Sequence, residues 1–234
     1  MRFIFQKLFL YSTHYHWLCI VPFKNPYIEK VLLNTHILID PDEMYIQKGK
    51  WNSYFWNLYP LILEIGTGMG NFFASQIEEN PKKNFIGMEL KRKRLDSTAK
   101  KSHQSWNENF ILLKDLGQNI SKIFEEKELE KTYIYFPDPW TKKPNQKKNQ
   151  LLSTKFLCEL YTVTQESGYL EIKTDDWAYY DIIWGNLKKT PWKIVEMSTD
   201  YEKESLRFSI KNLTEFEAMW RGKKKQVGFI LLQK

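Results

Sequence analysis

Short apolar runs that alternate with helical patterns are the feature that most constrains how this chain can fold. Leu61–Ile65 and Asn84–Met88 are apolar runs of strand length, and a helical pattern follows each of them. Such alternation is typical of βαβ units, whose strands form a parallel sheet. Four further strands are predicted: Asn109–Leu113, Thr132–Phe136, Tyr169–Lys173 and Gly228–Leu232. We therefore predict an α/β fold, with a doubly wound sheet of six or seven strands.

Several helices are expected between these strands. Asn71 is suited to cap a helix that runs to about Glu79. A basic helix is expected from about Lys91 to Ser105, another begins at Ser153, and a further one covers Trp177–Leu187.

A glycine-rich loop and four acids stand at the predicted carboxyl ends of successive strands. The loop follows the first strand, and Glu89, Asp115, Asp138 and Asp175 stand at or just beyond the ends of the next four. Doubly wound sheets bind ligands at this edge, where the strand order reverses. The loop and the acids are therefore expected to form one site.

The glycine-rich loop has the spacing Glu64-x-Gly66-x-Gly68-x-Gly70. Glycine permits unusual backbone angles and lets a ligand approach the main chain closely. The dinucleotide fingerprint is G-x-G-x-x-G, with a pyrophosphate on the helix N-terminus. Here the spacing differs, and an acid precedes the loop, which disfavours pyrophosphate and suits a cationic ligand. S-adenosyl-L-methionine is such a ligand, because it has a sulfonium, an α-amino group and no phosphate.

Two of the acids fit further contacts of this cofactor. Glu89 lies 19 residues after Gly70 and is placed to accept hydrogen bonds from both ribose hydroxyls. Asp115 is placed to accept one from the adenine amino group. Alone, the glycines are explained by a tight β–α turn and Glu89 by a solvated strand end. Together, their order and spacing indicate the cofactor site.

Asp138 lies in a rigid segment, Phe136-Pro137-Asp138-Pro139-Trp140. Proline fixes φ, so the two prolines restrict the conformers that Asp138 can adopt. Trp140 has two interpretations. It either stacks on a base or on the adenine, or it packs in the core beneath the loop.

A set of motifs occurs in one order along the chain: Glu64-Ile65-Gly66-x-Gly68-x-Gly70, Gly87-Met88-Glu89, Phe136-Pro137-Asp138-Pro139-Trp140 with Lys142-Lys143, Lys173-Thr174-Asp175 and Thr214-Glu215-Phe216-Glu217. Together these motifs resemble the bacterial tRNA (guanine-N7-)-methyltransferases, and Asn25-Pro26 and Gly49-Lys50-Trp51-Asn52 also fit that family. The resemblance implies one class I methyltransferase domain over residues 25–234. Its Rossmann-like sheet would be mostly parallel and seven-stranded, with one antiparallel strand and helices on both faces. Residues 1–24 would form an N-terminal extension outside it.

The resemblance also implies the reaction and the site residues. The methyl group of S-adenosyl-L-methionine would pass to N7 of a guanine in the tRNA variable loop, usually position 46. The implied cofactor-binding residues are Glu64, Gly66, Gly68, Gly70, Glu89, Asp115 and Asp138. The implied substrate-binding residues are Lys142, Asp175, Thr214, Glu215, Phe216 and Glu217.

The chemistry of guanine N7 agrees with a site of this kind. N7 has a lone pair and no proton, so the reaction needs alignment rather than a general base. Positive charge moves onto the base during transfer, and a nearby carboxylate favours that movement. Asp138 or Asp175 is expected to supply it, and Asp138, at the sulfonium end, is the candidate catalytic residue.

One segment departs from the family pattern, and another has a second, purely structural explanation. The family's basic run after the tryptophan contains arginines and a histidine, whereas residues 141–150 here are TKKPNQKKNQ. Lysine keeps the charge for phosphate but loses the bidentate fork of arginine. Thr214 followed by Glu217 also fits a helix capping box, which is compatible with a substrate contact from Thr214 and Glu215.

The charge balance suits a nucleic-acid partner without requiring one. The net charge is +7, from 35 basic and 28 acidic residues. The clusters Lys91–Arg94 and Lys223–Lys225 either extend an RNA-binding face or are ordinary solvated charges. The expected partner is tRNA, and the chain is expected to act as a monomer or homodimer.

The N-terminal segment and the cysteines bear on location. Residues 3–23 are strongly apolar, but polar residues interrupt them, so neither a membrane span nor a signal peptide is expected. Cys19 and Cys158 are too few for a disulfide framework, which favours the cytoplasm. His14, His16 and Cys19 match no zinc pattern, and no metal is expected.

Three alternatives stay open at this stage. The segment around Asp138 partly resembles the (D/N)-P-P-(Y/F/W) turn of enzymes that methylate exocyclic amines. A non-catalytic RNA-binding relative would keep the fold without turnover. A nucleotide-dependent oxidoreductase fits least, because of Glu64 and the glycine spacing.

Overall fold

A central sheet of eight strands organises the protein. The computed structural model describes residues 25–199, 214–223 and 225–234, so the predicted N-terminal extension lies outside the described residues. The strands are β1 (Ile37–Leu38), β2 (Leu61–Ile65), β3 (Asn84–Met88), β4 (Phe110–Leu113), β5 (Leu129–Tyr135), β6 (Thr164–Thr174), β7 (Lys193–Ser198) and β8 (Gly228–Gln233).

The strand order is β1-β4-β3-β2-β5-β6-β8-β7. Strand β8 runs antiparallel to both β6 and β7, and the other pairings are parallel. The predicted doubly wound, mostly parallel sheet with one antiparallel strand is confirmed. The predicted count of seven was wrong by one, because the two-residue strand β1 adds an edge beside β4.

Helices pack on both faces of the sheet. Those on the described chain are α1 (Tyr27–Leu33), α2 (Pro41–Tyr45), α3 (Trp51–Phe55), α4 (Asn71–Glu79), α5 (Arg92–Ser102), α6 (Ile120–Ile123), α7 (Thr154–Val163), α8 (Trp177–Leu187) and α9 (Glu215–Gly222). Two 3₁₀ turns, Gly117–Asn119 and Pro144–Asn149, complete the elements.

Two helix starts can be compared with the capping residues that the sequence predicts. Ser153 accepts a hydrogen bond from the Phe156 amide, as a cap of α7 should. Helix α4 covers the predicted residues, but its N-cap is Gly70 and not Asn71, which is the first helical residue. The predicted cap at Asn71 was therefore wrong by one position.

Alternating strand residues divide the core into two layers. Leu61, Leu63 and Ile65 pack in the layer under α7 and α8. Ile62 packs in the layer under α4 and α5. Strands buried on both faces give continuous apolar runs, which is why β2 and β3 have the predicted bounds.

The carboxyl ends of the first three long strands lie level with one another. Ile65 of β2 pairs with Met88 of β3, which pairs with Leu113 of β4. Strand β3, which follows β2 in the sequence, lies on one side of β2, whereas β5 lies on its other side. The residues that follow β2, β3, β4 and β5 therefore meet at the switch point of the sheet.

Candidate active site

A cavity of about 530 Å³ lies at this edge of the sheet. Most of the predicted site residues line it: Glu64, Gly66, Gly68, Glu89, Asp115, Asp138, Thr214, Glu215 and Phe216. Four predicted residues are not among its lining residues, namely Gly70, Lys142, Asp175 and Glu217. The cavity is also lined by residues that the sequence did not individually assign to the cofactor or substrate site, among them Thr67, Arg94, Gln118, Tyr135, Lys148 and Asn149.

The glycines of the loop have two different roles. Gly66 and Gly68 have φ of +88° and +58°, and a Cβ added at either would meet no atom within 4 Å. They leave an open cradle at the cavity. Gly70 has φ of +88°, and a Cβ there would lie 2.6 Å from the Thr98 Cα. Gly70 therefore permits close packing of α4 on α5, which explains why it does not line the cavity.

Glu64 is the most unusual acid in the site. Its residue is 4% exposed, and within the described chain its Oε2 has no hydrogen-bond partner. Burial raises the pKa of the Glu64 carboxyl well above its usual range, and the nearby Glu215 and Glu89 carboxylates raise it further. A buried acid among acids stays ionised most easily when a cation binds to it. The cavity is therefore suited to a cationic group beside Glu64.

Glu89 organises the loop as well as lining the cavity. Its Oε1 accepts hydrogen bonds from the Leu90 and Lys91 amides, at 2.8 and 2.9 Å. Its Oε2 accepts one from the Gly68 amide at 3.2 Å and lies 3.5 Å from an Arg94 nitrogen. A carboxylate has about four acceptor positions, and the three amide hydrogen bonds use three of them, so one remains, on Oε2. A ligand hydroxyl can donate to that position, and the predicted contact of Glu89 with both ribose hydroxyls stays a prediction.

Asp115 is held by three donors. Its Oδ1 accepts hydrogen bonds from the Leu116 amide and from Asn119 Nδ2. Its Oδ2 accepts a bond of 2.9 Å from the Tyr45 hydroxyl at the end of α2. Burial, together with this hydrogen bond, raises the pKa of Tyr45, so the tyrosine stays protonated and donates. Oδ2 keeps an acceptor position, and Tyr45 fixes the direction in which it points.

The turn that carries Asp138 is constrained at both ends. Phe136 and Trp140 have φ of 50° and 46°, a left-handed conformation that is uncommon outside glycine. The Phe136 amide donates to the Lys173 carbonyl, and Gln150 Nε2 donates to the Pro139 carbonyl. Strained backbone of this kind clusters at functional sites.

Asp138 itself is exposed and lines the cavity. Within the described residues, its carboxylate forms no hydrogen bond or ion pair, so it is free to contact a ligand. Trp140 also lines the cavity and is 37% exposed, which favours the stacking interpretation over packing in the core.

The lysine-rich loop reaches the cavity at its far end. Lys148 and Asn149, in the second 3₁₀ turn, line the cavity, whereas the predicted Lys142 is exposed and does not. Asp175, just after β6, is half-buried and also lies outside the lining. The spacing of lysines in TKKPNQKKNQ gave no means of telling which one turns inward.

The Thr214–Glu217 segment combines a cap with three separate contacts. Thr214 Oγ1 accepts a hydrogen bond from the Glu217 amide at 3.0 Å, which is half of the predicted capping box. Phe216 stacks on Phe136, with ring centroids 6.0 Å apart. The Glu217 side chain is fully buried and pairs with Lys173 Nζ at 3.0 Å.

Glu215 occupies the N-terminus of α4. Its Oε1 accepts hydrogen bonds from the Asn71 amide at 3.1 Å and from Lys101 Nζ at 3.2 Å. In dinucleotide sites the pyrophosphate lies at this end of the helix. A carboxylate already bound there repels phosphate, so this geometry is unfavourable for a nucleotide-dependent oxidoreductase.

The described residues contain neither a candidate metal site nor a helix that could span a membrane. In residues 25–199, 214–223 and 225–234, no three histidine, cysteine, aspartate or glutamate side chains form a group that could hold a metal. The helices of this part of the chain include none that is both long and apolar enough to cross a membrane. His14, His16 and Cys19 lie outside the described residues.

Comparison with known proteins gives both a family and relatives. The Methyltransf_4 family model, described as "Putative methyltransferase", matches residues 59–230. A tRNA (guanine-N(7)-)-methyltransferase from Lachnoclostridium phytofermentans is 30% identical over 190 residues, which cover 81% of this chain and 86% of that protein. A bifunctional glycosyltransferase/methyltransferase from Fusobacterium nucleatum is 33% identical over 214 residues. That match covers 90% of this chain but only 33% of the bifunctional protein.

A solved structure has a similar fold. It is the 30S ribosomal A1408 methyltransferase from an uncultured bacterium, with a TM-score of 0.53 and 16% sequence identity. The match covers 84% of this chain and 95% of that one. At this identity the likeness concerns the fold alone.

Proposed function

This chain belongs to the tRNA (guanine-N7-)-methyltransferase family, and from that premise we propose that it methylates N7 of a guanine in tRNA, with S-adenosyl-L-methionine as the methyl donor. The target is the guanine at position 46 of the variable loop. The observation that carries the proposal is the buried Glu64 carboxylate, whose Oε2 has no partner in the described chain and which lines the cavity at the glycine loop.

The residues present fit this cofactor. Glu64 would hold the α-amino group, which is the cation that a buried acid among acids requires. Gly66 and Gly68 leave the space that a Cβ would otherwise fill. Glu89 would accept a ribose hydroxyl at its remaining position, and Asp115 would accept the adenine amino group. When bound, S-adenosyl-L-methionine supplies an electrophilic methyl group on a sulfonium that leaves as a neutral thioether.

The chain's own residues then have to align the base and stabilise its new charge. Guanine N7 attacks with a lone pair that carries no proton, so no side chain has to act as a general base. Asp138 lines the cavity without a described partner and would stabilise the positive charge that develops on the guanine. Trp140 and Phe216, both part-exposed at the cavity, supply faces on which the base can stack.

A methylation assay on unmodified tRNA, followed by mass spectrometry of the nucleosides, tests the proposal. We expect N7-methylguanosine as the product, and no product when the guanine at position 46 is replaced. A product methylated at N1, N2 or N6 would contradict the assignment of the target atom. N7-methylguanosine that persists after the replacement would contradict the assignment of the position.

Replacing Tyr45 by phenylalanine is expected to weaken cofactor binding by about 3- to 10-fold, since one hydrogen bond is worth about 1 kcal/mol. The loss frees Asp115 Oδ2 to rotate away from the adenine. Calorimetry of the protein with S-adenosyl-L-methionine measures the change. Tyr59→Phe is the matched control, because Tyr59 is exposed and does not line the cavity. Equal affinity of the two variants for S-adenosyl-L-methionine would show that Tyr45 does not contribute to cofactor binding.

A further inference from the structure

The segment Thr214–Glu217, which we call the clasp, connects parts of the site that lie far apart in the sequence. Glu215 binds the first amide of α4, directly after the glycine loop. Phe216 stacks on Phe136, the first residue of the turn that carries Asp138. The third contact, between Glu217 and Lys173 of β6, is the one that the reaction chemistry does not explain.

Lys173 links the clasp to the turn through two different groups. Its ammonium pairs with Glu217 at 3.0 Å, and both side chains are 0% exposed. Its backbone carbonyl accepts a hydrogen bond of 2.8 Å from the Phe136 amide. Its Nζ also lies 4.7 Å from the centre of the Tyr135 ring, and Tyr135 lines the cavity. One residue therefore contacts both the clasp and the strand that delivers Asp138.

A fully buried ion pair is a poor device for stability alone. Removing two charges from water costs about as much as their attraction returns, and apolar pairs of similar volume are often as stable. A buried pair disfavours arrangements that separate its two charges, because each charge would then be unpaired in the core. Here the pair joins β6 to the clasp, and Thr214, Glu215 and Phe216 of the clasp line the cavity.

We propose that Lys173 is a positioning residue for methyl transfer, whose buried ion pair with Glu217 fixes the clasp over the cavity. With the pair intact, Glu215 stays at the glycine loop and Phe216 stays against Phe136, so the cofactor side and the base side of the cavity keep a fixed relation. The part of this inference that concerns methyl transfer rests on the proposed function. The part that concerns the position of the clasp does not depend on which reaction the protein catalyses.

The test replaces both charges at once, in the variant Lys173→Met, Glu217→Met. Because both charges of the pair are removed together, we expect the melting temperature to stay close to the wild-type value. Deuterium uptake of residues 214–223, measured without cofactor, is expected to rise. With saturating cofactor and varied tRNA, kcat is expected to fall by about 10- to 100-fold while KM for tRNA changes by less than about threefold, because misplacement by 1 Å can cost 100-fold in rate.

A second ion pair serves as the control. Lys83 and Glu130 are bound at 2.5 Å and lie outside the cavity lining. The variant Lys83→Met, Glu130→Met is expected to keep wild-type kcat and wild-type deuterium uptake at residues 214–223. A similar fall in kcat in both double variants would overturn the assignment of Lys173.

The outcomes separate this inference from the proposed function. If the wild-type protein gives no N7-methylguanosine, the proposed function fails, and deuterium uptake still decides whether the pair seats the clasp. If the wild-type protein is active and the Lys173→Met, Glu217→Met variant matches it in kcat and uptake, the inference is wrong. Uniformly raised uptake with a lowered melting temperature and unchanged kcat would reduce the pair to a structural role, and also overturn it.

A single variant covers the case in which the double variant does not fold. Lys173→Met removes the cation of the pair and leaves Glu217 unchanged. The same local rise in uptake and the same fall in kcat are expected. Wild-type values of both in this folded variant would overturn the proposal.

Discussion

Replacing Asp138 by asparagine is expected to lower kcat by about 100- to 1,000-fold, the range found when one preorganised electrostatic group is removed from an active site. The carboxylate lines the cavity, and the prolines on either side of it restrict its position. Asparagine keeps the shape and removes the charge that we propose stabilises the cationic product. The melting temperature is expected to stay near the wild-type value, because in the described chain the carboxylate makes no hydrogen bond or ion pair.

Asp181→Asn is the matched control for this change. Asp181 is an exposed carboxylate on α8 and does not line the cavity, so its loss changes the net charge equally without altering the site. Single-turnover kinetics with tRNA and S-adenosyl-L-methionine distinguish a slower chemical step from slower product release. If kcat of Asp138→Asn lies within a few-fold of kcat of Asp181→Asn, Asp138 has no electrostatic role in the reaction.

The sequence predicts the part of the site that lies at the carboxyl ends of the strands. Glu64, Glu89 and Asp115 lie at the cavity because apolar runs buried on both faces fix the strands, and parallel strands end at one edge. Two strand bounds agree residue for residue with the prediction, Leu61–Ile65 and Asn84–Met88. Strand and turn periodicity are local signals, so a single sequence carries them.

What the sequence could not predict depends on contacts between distant segments. Tyr45 reaches Asp115 from a five-residue helix 70 positions earlier, and no periodicity marks so short an element. Glu215 lies 144 positions from the Asn71 amide that it binds. A motif predicts that such residues matter, but it does not predict which element each side chain contacts.

Edge elements were also hard to predict, for a different reason. Strand β7 is largely exposed, with Ile194 44% exposed, so it lacks the apolar run that marks the central strands. Strand β1 has two residues, too few for any pattern. The extra strand leaves the site unchanged, since β1 pairs with β4 at the outer edge of the sheet.

Replacing Glu64 by glutamine is expected to have opposite effects on cofactor affinity and on the stability of the ligand-free protein. Affinity for S-adenosyl-L-methionine should fall by about 10- to 150-fold, because a hydrogen bond to a charged group is worth about 1.5–3 kcal/mol. The stability of the ligand-free protein should rise at neutral pH, because glutamine removes the buried charge that desolvation and the Glu215 and Glu89 carboxylates disfavour. Calorimetry with the cofactor measures the first effect, and the melting temperature without it measures the second.

The pH dependence gives this prediction its sharpest test. Burial raises the folded-state pKa of Glu64 above its ordinary value of 4.5, with further contributions from Glu215 and Glu89. The folded protein therefore binds this proton more tightly than the unfolded chain, so Glu64 lowers stability as the pH rises from about 4.5 through the raised pKa. The advantage of Glu64→Gln in melting temperature should grow over that window, while wild-type affinity for the cationic cofactor increases as Glu64 ionises.

An exposed acid provides the control for the change of charge. Glu78→Gln, on α4, removes the same charge from an exposed side chain outside the cavity lining and is expected to change neither affinity nor the pH profile. If Glu64→Gln binds the cofactor within about threefold of the Glu78→Gln value, Glu64 does not hold the amino group, because one charge-assisted bond alone exceeds that margin. The cofactor affinity could instead fall while the stability difference between Glu64→Gln and the wild type does not change with pH. The Glu64 carboxylate would then already be ionised in the ligand-free protein, and water would solvate it more than its burial indicates.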